Sequence, residues 1–240
     1  MAYTLEMEGI EASIDLEFDR LHAQGLQGEW ERVRERCRHL LAASNSFTWA
    51  HLLLGYAELR EKNFEVAHQH FLQGASLPEP LGSESRAGVG RALVGLGRND
   101  DALLLLHELV TRYPDCHFAW HALGETCAMR GDNDLAWLCA QRATELCPTH
   151  SESVSLIVAV AGALARHSEL IVSLQEVQKA QPWNLDVRGA RALSLLRDGR
   201  HSEALEEMTR VVSFAPFARV SPAILTLIRQ SISTLQTREA

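Results

Sequence analysis

The chain has 240 residues, 46% of them hydrophobic and 22% charged, ordinary globular material for one large domain or two small ones. Its formal net charge of −8 speaks against nucleic acid as a partner, since phosphate-backbone binding starts from a positive field. Five cysteines, an odd number in a chain too large to need stapling, fit reduced thiols and a cytoplasmic location rather than a disulfide framework.

The chain opens on "MAYTLEMEGIEASIDLEFD", six acidic residues before the first base at Arg20, the reverse of a secretion signal. Residues 1–13 are read as an acidic N-terminal arm or helix, solvated or lying in the groove of its own or a neighbouring molecule. From residue 14 to 218 the chain repeats itself. Pro114, Pro148, Pro182 and Pro216 stand 34 residues apart, each just past a helical-looking segment. Twelve residues after Gly55, Gly90 and Gly124 come Ala67, Ala102 and Ala136, pairs small enough to let two antiparallel helices approach closely. The registers are 14–47, 48–81, 83–116, 117–150, 151–184 and 185–218, with Gly82 as one extra residue. Each is predicted to be a helical hairpin whose second helix follows a polar turn such as "GRND", "RGDND" or "DGRH" and starts on an Asp, Asn or Ser able to cap it.

In the first unit "ERVRERCRH" at 31–39 alternates bases with Glu31 and Glu35 and is read as a solvated second helix with i,i+4 pairs. Asn45 stands where later units have proline, and the close-contact pair is Leu21 with Val33, too large for close approach, which predicts a wider hairpin here. Between the second and third units "LPEPLGSE" carries the extra residue, a candidate hinge or change of curvature. The fourth unit opens on "CHFAWHALGETC". His117 and His121 share a helix face and suggest a metal site, but Cys127 points about 120° away from His121, so the four candidate ligands do not converge. In the fifth unit Val158 and Leu170 replace the small pair, which predicts a wider hairpin. Its apolar run "LIVAVAGALA" is about half of the ~20 residues needed to span a bilayer, so no membrane insertion is expected. After residue 218, Ser221 as N-cap, Pro222 at the first helical position and an apolar face of Ile224, Leu225, Ile228, Ile232 and Leu235 predict a capping helix over 219–240.

This pattern resembles the tetratricopeptide repeat. In the fourth unit Trp120, Leu123, Gly124, Gly131, Ala136, Ala143 and Pro148 fall at the signature places. The third supplies Val89, Gly90, Gly97, Ala102 and Pro114, and the sixth Ala192, Gly199, Ala204 and Pro216. The resemblance implies an all-α, right-handed superhelical solenoid of about six hairpins plus the cap. It also implies a concave groove lined by the second, fifth, ninth and thirteenth places of the first helices. Those places hold Trp49, Leu52, Tyr56, Arg60, Arg91, Phe118, His121, Glu125 and Met129, followed by Ser155 and Ala159. Aromatic and arginine side chains suit a protein or peptide segment as ligand. The carboxylate clamp of some family members is missing: Phe18, His22, Leu53, Glu84 and Gly88 stand at its places. No phosphate loop, nucleophile elbow or His-Glu-x-x-His motif is present, so no enzyme and no cofactor are expected. The reading is a non-catalytic adaptor, scaffold or chaperone-like module. Its alternatives are a self-associating homo-oligomeric scaffold and, in another class, a metal-binding or catalytic protein using His117 and His121.

Overall fold

The computed structural model of the chain describes residues 16–25, 27–44 and 47–239; the predicted arm over 1–13 and Asn45 lie outside them. All regular structure among the described residues is helical. Helix α1 covers residues 16–25, followed by α2 (Trp30–Ala43), α3 (Ala50–Arg60), α4 (Phe64–Gly74), α5 (Leu81–Gly95), α6 (Asn99–Arg112) and α7 (His117–Arg130). Then come α8 (Asn133–Leu146), α9 (Ser151–Leu164), α10 (His167–Ala180), α11 (Leu185–Arg197), α12 (His201–Phe214) and α13 (Pro222–Glu239). None of the described helices is long and apolar enough to cross a membrane.

The even-numbered helices are built to one rule. Each buries a stripe at i, i+4 and i+7, the spacing that puts three side chains on one helix face. The stripes are Val33, Cys37 and Leu40 in α2; Ala67, Phe71 and Gly74 in α4; and Ala102, Leu106 and Leu109 in α6. They continue as Ala136, Ala140 and Ala143 in α8; Leu170, Leu174 and Val177 in α10; and Ala204, Met208 and Val211 in α12. Before each of these helices one residue takes a left-handed backbone: Gly28, Lys62, Gly97, Gly131, Ala165 and Gly199, all with positive φ. That residue reverses the chain between the two helices of a hairpin, and glycine adopts the conformation without the steric cost of a Cβ.

These helices do not start with the side-chain caps that the sequence suggested. Asn63 and Asp132 at the N-caps of α4 and α8 make no side-chain cap bond. Their ψ values near +60° lie outside the extended region from which a capping side chain reaches the following amides. Side-chain caps occur instead on first helices, where His150 and Asn184, both extended, accept amide bonds at α9 and α11.

The chain divides into two compact units, Met1–Ala122 and Leu123–Ala240, with the boundary inside α7. In the first unit α2 packs on α3, α3 on α4, α4 on α5 and α5 on α6. One of its cores gathers Leu21, Val33, Cys37, Leu40, Trp49, Ala50, Leu53 and Leu54. Phe71 of α4 is fully buried where α3 and α5 come closest to it, and a Cβ on Gly55 or Gly88 would lie 2.6 or 2.5 Å from its ring. In the "ERVRERCRH" stretch Glu31, Arg32, Glu35, Arg36 and Arg38 are exposed, as expected, while Arg34 is turned inward. Arg34 lies 3.5 Å from Glu58 of α3, and Arg38 lies 3.4 Å from the same oxygen. Glu58 is buried and also accepts from Asn63 at 2.8 Å; Arg34, turned inward, and Arg38, reaching over from the surface, neutralise a carboxylate that could not otherwise leave water. Gly82 is absorbed into the first turn of α5, and Arg86 straps the preceding connection by donating to the Ala75 carbonyl at 2.7 Å and pairing with Glu79. The insertion lengthens a helix and forms no separate loop.

In the second unit α8 packs on α9, α10 on α11, α11 on α12 and α12 on α13, whereas α9 lies against α10 far less closely than α11 against α12. This is the hairpin with Val158 and Leu170 in place of the small pair. Ile171, Leu185, Ala192, Leu195, Ala204, Met208, Val211 and Ile228 form its C-terminal core. Helix α13 closes that core with Ile228, flanked by Ile224 and Ile232.

Candidate partner-binding surfaces

The residues predicted for a groove separate by burial. Trp49 is 6% exposed, Leu52 0% and His121 1%. Trp49 belongs to the core cluster, its ring edge-on to Phe18 at 5.5 Å and to Phe47 at 6.0 Å. These three side chains are corrected to packing positions. First helices here are covered on more than one side, so a place that would face solvent on a two-sided hairpin is sealed by its neighbours. Tyr56, Arg91, Phe118 and Glu125 are half-buried, while Arg60 and Met129 are exposed.

In the first unit the half-buried residues form one constellation. The Tyr56 ring stands 5.4 Å from that of Phe71, 6.3 Å from Phe118 and 6.5 Å from Trp30. The Arg60 guanidinium lies over Trp30, 5.9 Å from the ring centroid, a cation–π contact of about 0.5–1 kcal/mol at an exposed site. Trp30, at the start of α2, was missed by reading the first-helix places alone; an aromatic residue just after the turn glycine was its signal. The Tyr56 hydroxyl donates to Glu84 Oε1 at 2.7 Å. Glu84 is 7% exposed, and burial, partly offset by the Tyr56 hydrogen bond, pushes its carboxyl up to about 7. Trp120 is framework: its indole donates to the Pro114 carbonyl at 2.8 Å and pins the turn before α7.

The opening stretch of α7 has the chemistry of packing. Burial, and then the charge of His121, push the His117 imidazole down to about 4. Among the described residues no group of three or more His, Cys, Asp or Glu side chains is placed to hold a metal ion. All five cysteines are free, and burial pushes the thiols of Cys37 and Cys139 up to about 12, the wrong direction for a nucleophile.

The second unit carries a different kind of surface. Helices α9, α11 and α13 border a cavity of about 340 Å³ walled by Val154, Val158, Val187, Ala190 and Ile224, with Ser155 and Ala159 of the predicted groove on its rim. A second cavity of about 220 Å³ shares Val158, Ala190 and Ile224 and extends past Leu193 and Leu227 to His167 and Arg197.

Residues 90–151 match the family model described as tetratricopeptide repeat. Among solved structures the chain is similar to TTC0263, a thermophilic tetratricopeptide-repeat protein of Thermus thermophilus, with 19% identity, a TM-score of 0.52, and 77% of this chain and 98% of that one covered. It is similar to the MamA protein at 17% identity and a TM-score of 0.51, covering 75% of this chain and 100% of that one. A tetratricopeptide repeat protein of Parabacteroides merdae aligns at 13% identity and a TM-score of 0.51 over 94% of this chain and 88% of its own. At such identities the likeness is one of fold. Comparison with curated proteins found no match.

Proposed function

We propose, from the premise that this chain is a tetratricopeptide-repeat protein, that it is a non-catalytic adaptor holding a segment of a partner protein on the aromatic face of its first unit. The observation that carries this is the half-buried row of Trp30, Tyr56 and Phe118 with Arg60 stacked at its end. Aromatic and arginine side chains dominate interface hot spots because they bring large area with few rotatable bonds. Here Phe71 and Glu84 hold the Tyr56 ring in place before any partner arrives, which lowers the ordering cost of binding. An apolar side chain of the partner would pack on the Tyr56 and Phe118 rings, with an acidic group on Arg60. Arg91 of α5, half-buried, is read as part of the same face. Glu125 and Met129 share a side of α7 with Phe118, since positions i, i+7 and i+11 return to one helix side.

The test compares proteins captured by immobilised wild-type chain with those captured by the Tyr56→Ala, Arg60→Glu double variant, quantified by mass spectrometry. Matching far-UV circular dichroism of the two chains is required. Proteins enriched by the wild type should fall at least tenfold on the variant. Equal enrichment by both chains would sink this assignment.

A further inference from the structure

His51 of α3 and His70 of α4 meet head-on across the second hairpin. Their Nδ1 atoms lie 3.0 Å apart and their ring centroids 5.2 Å apart, and both side chains are half-buried. The repeat itself sets this encounter. In the registers 48–81 and 185–218 the two histidines stand at the fourth and twenty-third places, and in the sixth hairpin the same places hold Arg188 and Glu207, ion-paired at 2.9 Å. Helix packing thus delivers two polar side chains to one spot, and in the second hairpin both of them are nitrogen ligands.

At 3.0 Å the two rings cannot both present a lone pair, so one donates its Nδ1–H to the other. Burial pushes both imidazoles below the ordinary histidine range, so the pair is neutral near pH 7. Charges nearby largely cancel: Glu58 and Arg38, which act on His70 in opposite directions, are themselves paired at 3.4 Å. What the spot offers a ligand is nitrogen rather than charge.

A metal ion fits this spot with little rearrangement. With each nitrogen about 2.0–2.1 Å from a tetrahedral ion and the ring centre about 1.1 Å behind it, two imidazoles place their centres about 5.2 Å and their nitrogens about 3.3 Å apart. The rings of His51 and His70 already have that centre-to-centre separation. Only the Nδ1 atoms must part, by about 0.3 Å, as each ring tilts about its own centre. The proton between them passes to Nε2 of the donor ring by exchange with water, so both imidazoles stay neutral and each turns an Nδ1 lone pair to the ion.

We propose that His51 and His70 bind one divalent transition-metal ion, of the zinc, nickel or copper class, through their Nδ1 atoms, with water in the remaining positions. Imidazole suits these ions, whereas magnesium and calcium take oxygen ligands. Copper(II) should bind more tightly than zinc(II), the general order at nitrogen sites. The ion ties α3 to α4 on a side away from the aromatic face, because His51 and Tyr56 project about 140° apart around α3.

Tag-free full-length chain is titrated with zinc chloride by isothermal calorimetry in a buffer that does not bind metal, beside His51→Ala, His70→Ala and, as a control, His107→Ala on exposed α6 surface. Wild type should take up zinc saturably, and its thermal midpoint should rise with zinc because the folded pair alone holds the ion. Loss of a mere supporting partner of a metal ligand costs about 10–100-fold in affinity, so loss of either histidine should weaken binding at least tenfold. His107→Ala should bind as wild type does, and magnesium chloride should give no heat of binding. No zinc uptake, uptake unchanged in both His51→Ala and His70→Ala, or equal uptake of magnesium overturns the proposal. Proton–nitrogen correlation spectra of the unmutated chain give a second readout that does not depend on the variants folding. Zinc should move the Nδ1 resonances of two histidines and leave their Nε2 atoms protonated, and histidine resonances unmoved by zinc count as refutation. The Tyr56→Ala, Arg60→Glu chain should bind zinc like wild type, so the ion site and the partner face are judged separately.

Discussion

Ala165 shows how much a single backbone conformation can matter. It occupies the left-handed turn position with φ of 54°, as Lys62 does with φ of 62°, where the other four hairpins have glycine. A non-glycine residue pays about 1–2 kcal/mol there, partly offset by the larger entropy that glycine loses on folding. Ala165→Gly should therefore stabilise the chain by about 0.5–1 kcal/mol, read as a rise of roughly 2 °C in the calorimetric midpoint. No change, or a fall, would mean the turn is relaxed by other means. Glu84 offers a pH signature. Its folded carboxyl titrates near 7 against an ordinary 4.5, so between those values the unfolded chain ionises while the folded one stays neutral. The contribution of this residue to stability is thus present below about pH 4.5 and lost as pH rises through 7. Glu84→Gln keeps an acceptor for Tyr56 and removes the ionisation. From pH 4.5 to 8 the wild type should lose on the order of 2–3 kcal/mol relative to that variant, and parallel urea-denaturation profiles would contradict the assignment.

At the scale of elements, helix contact distance is decided by which residue faces the partner helix. Gly55 lies inside α3, where replacement by alanine normally gains about 1 kcal/mol of helix propensity. Here the new Cβ would meet the Phe71 ring at 2.6 Å, and overpacking of a filled core costs about 1–3 kcal/mol. The second effect wins, so Gly55→Ala should destabilise the chain by about 1–2 kcal/mol in chemical denaturation. Gly162→Ala in α9 makes only an ordinary contact, with Arg197 Nη1 at 3.9 Å, and should stabilise it; the same sign for both substitutions would refute this packing. The α2–α3 contact adds an ionic element. Arg34 and Arg38 converge on the buried Glu58, and removing either arginine leaves a carboxylate that is costly to keep out of water.

For the molecule as a whole, stability in a stacked array is close to a sum of repeat and nearest-neighbour terms. Damage at one hairpin should stay near it. Hydrogen exchange of the Gly55→Ala chain should accelerate in α3, α4 and α5 while α11 and α12 keep their wild-type protection. Uniform acceleration along the chain would instead mark a single cooperative unit.

Much of the fold was legible before any coordinates. A period of 34 residues, prolines past helix ends, turn glycines and facing small pairs all report local geometry, and local geometry recurs wherever the residues recur. The splayed fifth hairpin was legible for the same reason, because Val158 and Leu170 are too large for close approach. The candidate site was legible only in part. Tyr56, Arg60, Arg91 and Phe118 stayed accessible, but Trp49, Leu52 and His121 became core, and Trp30 entered from a helix that the repeat places did not nominate. Helix periodicity states which side chains share a face. How deeply neighbouring hairpins cover that face depends on packing between residues distant in the chain, and that only the tertiary structure decided. The inward turn of Arg34 follows the same logic: its charge is plain in the sequence, but the buried Glu58 that draws it in is a partner that only folding supplies.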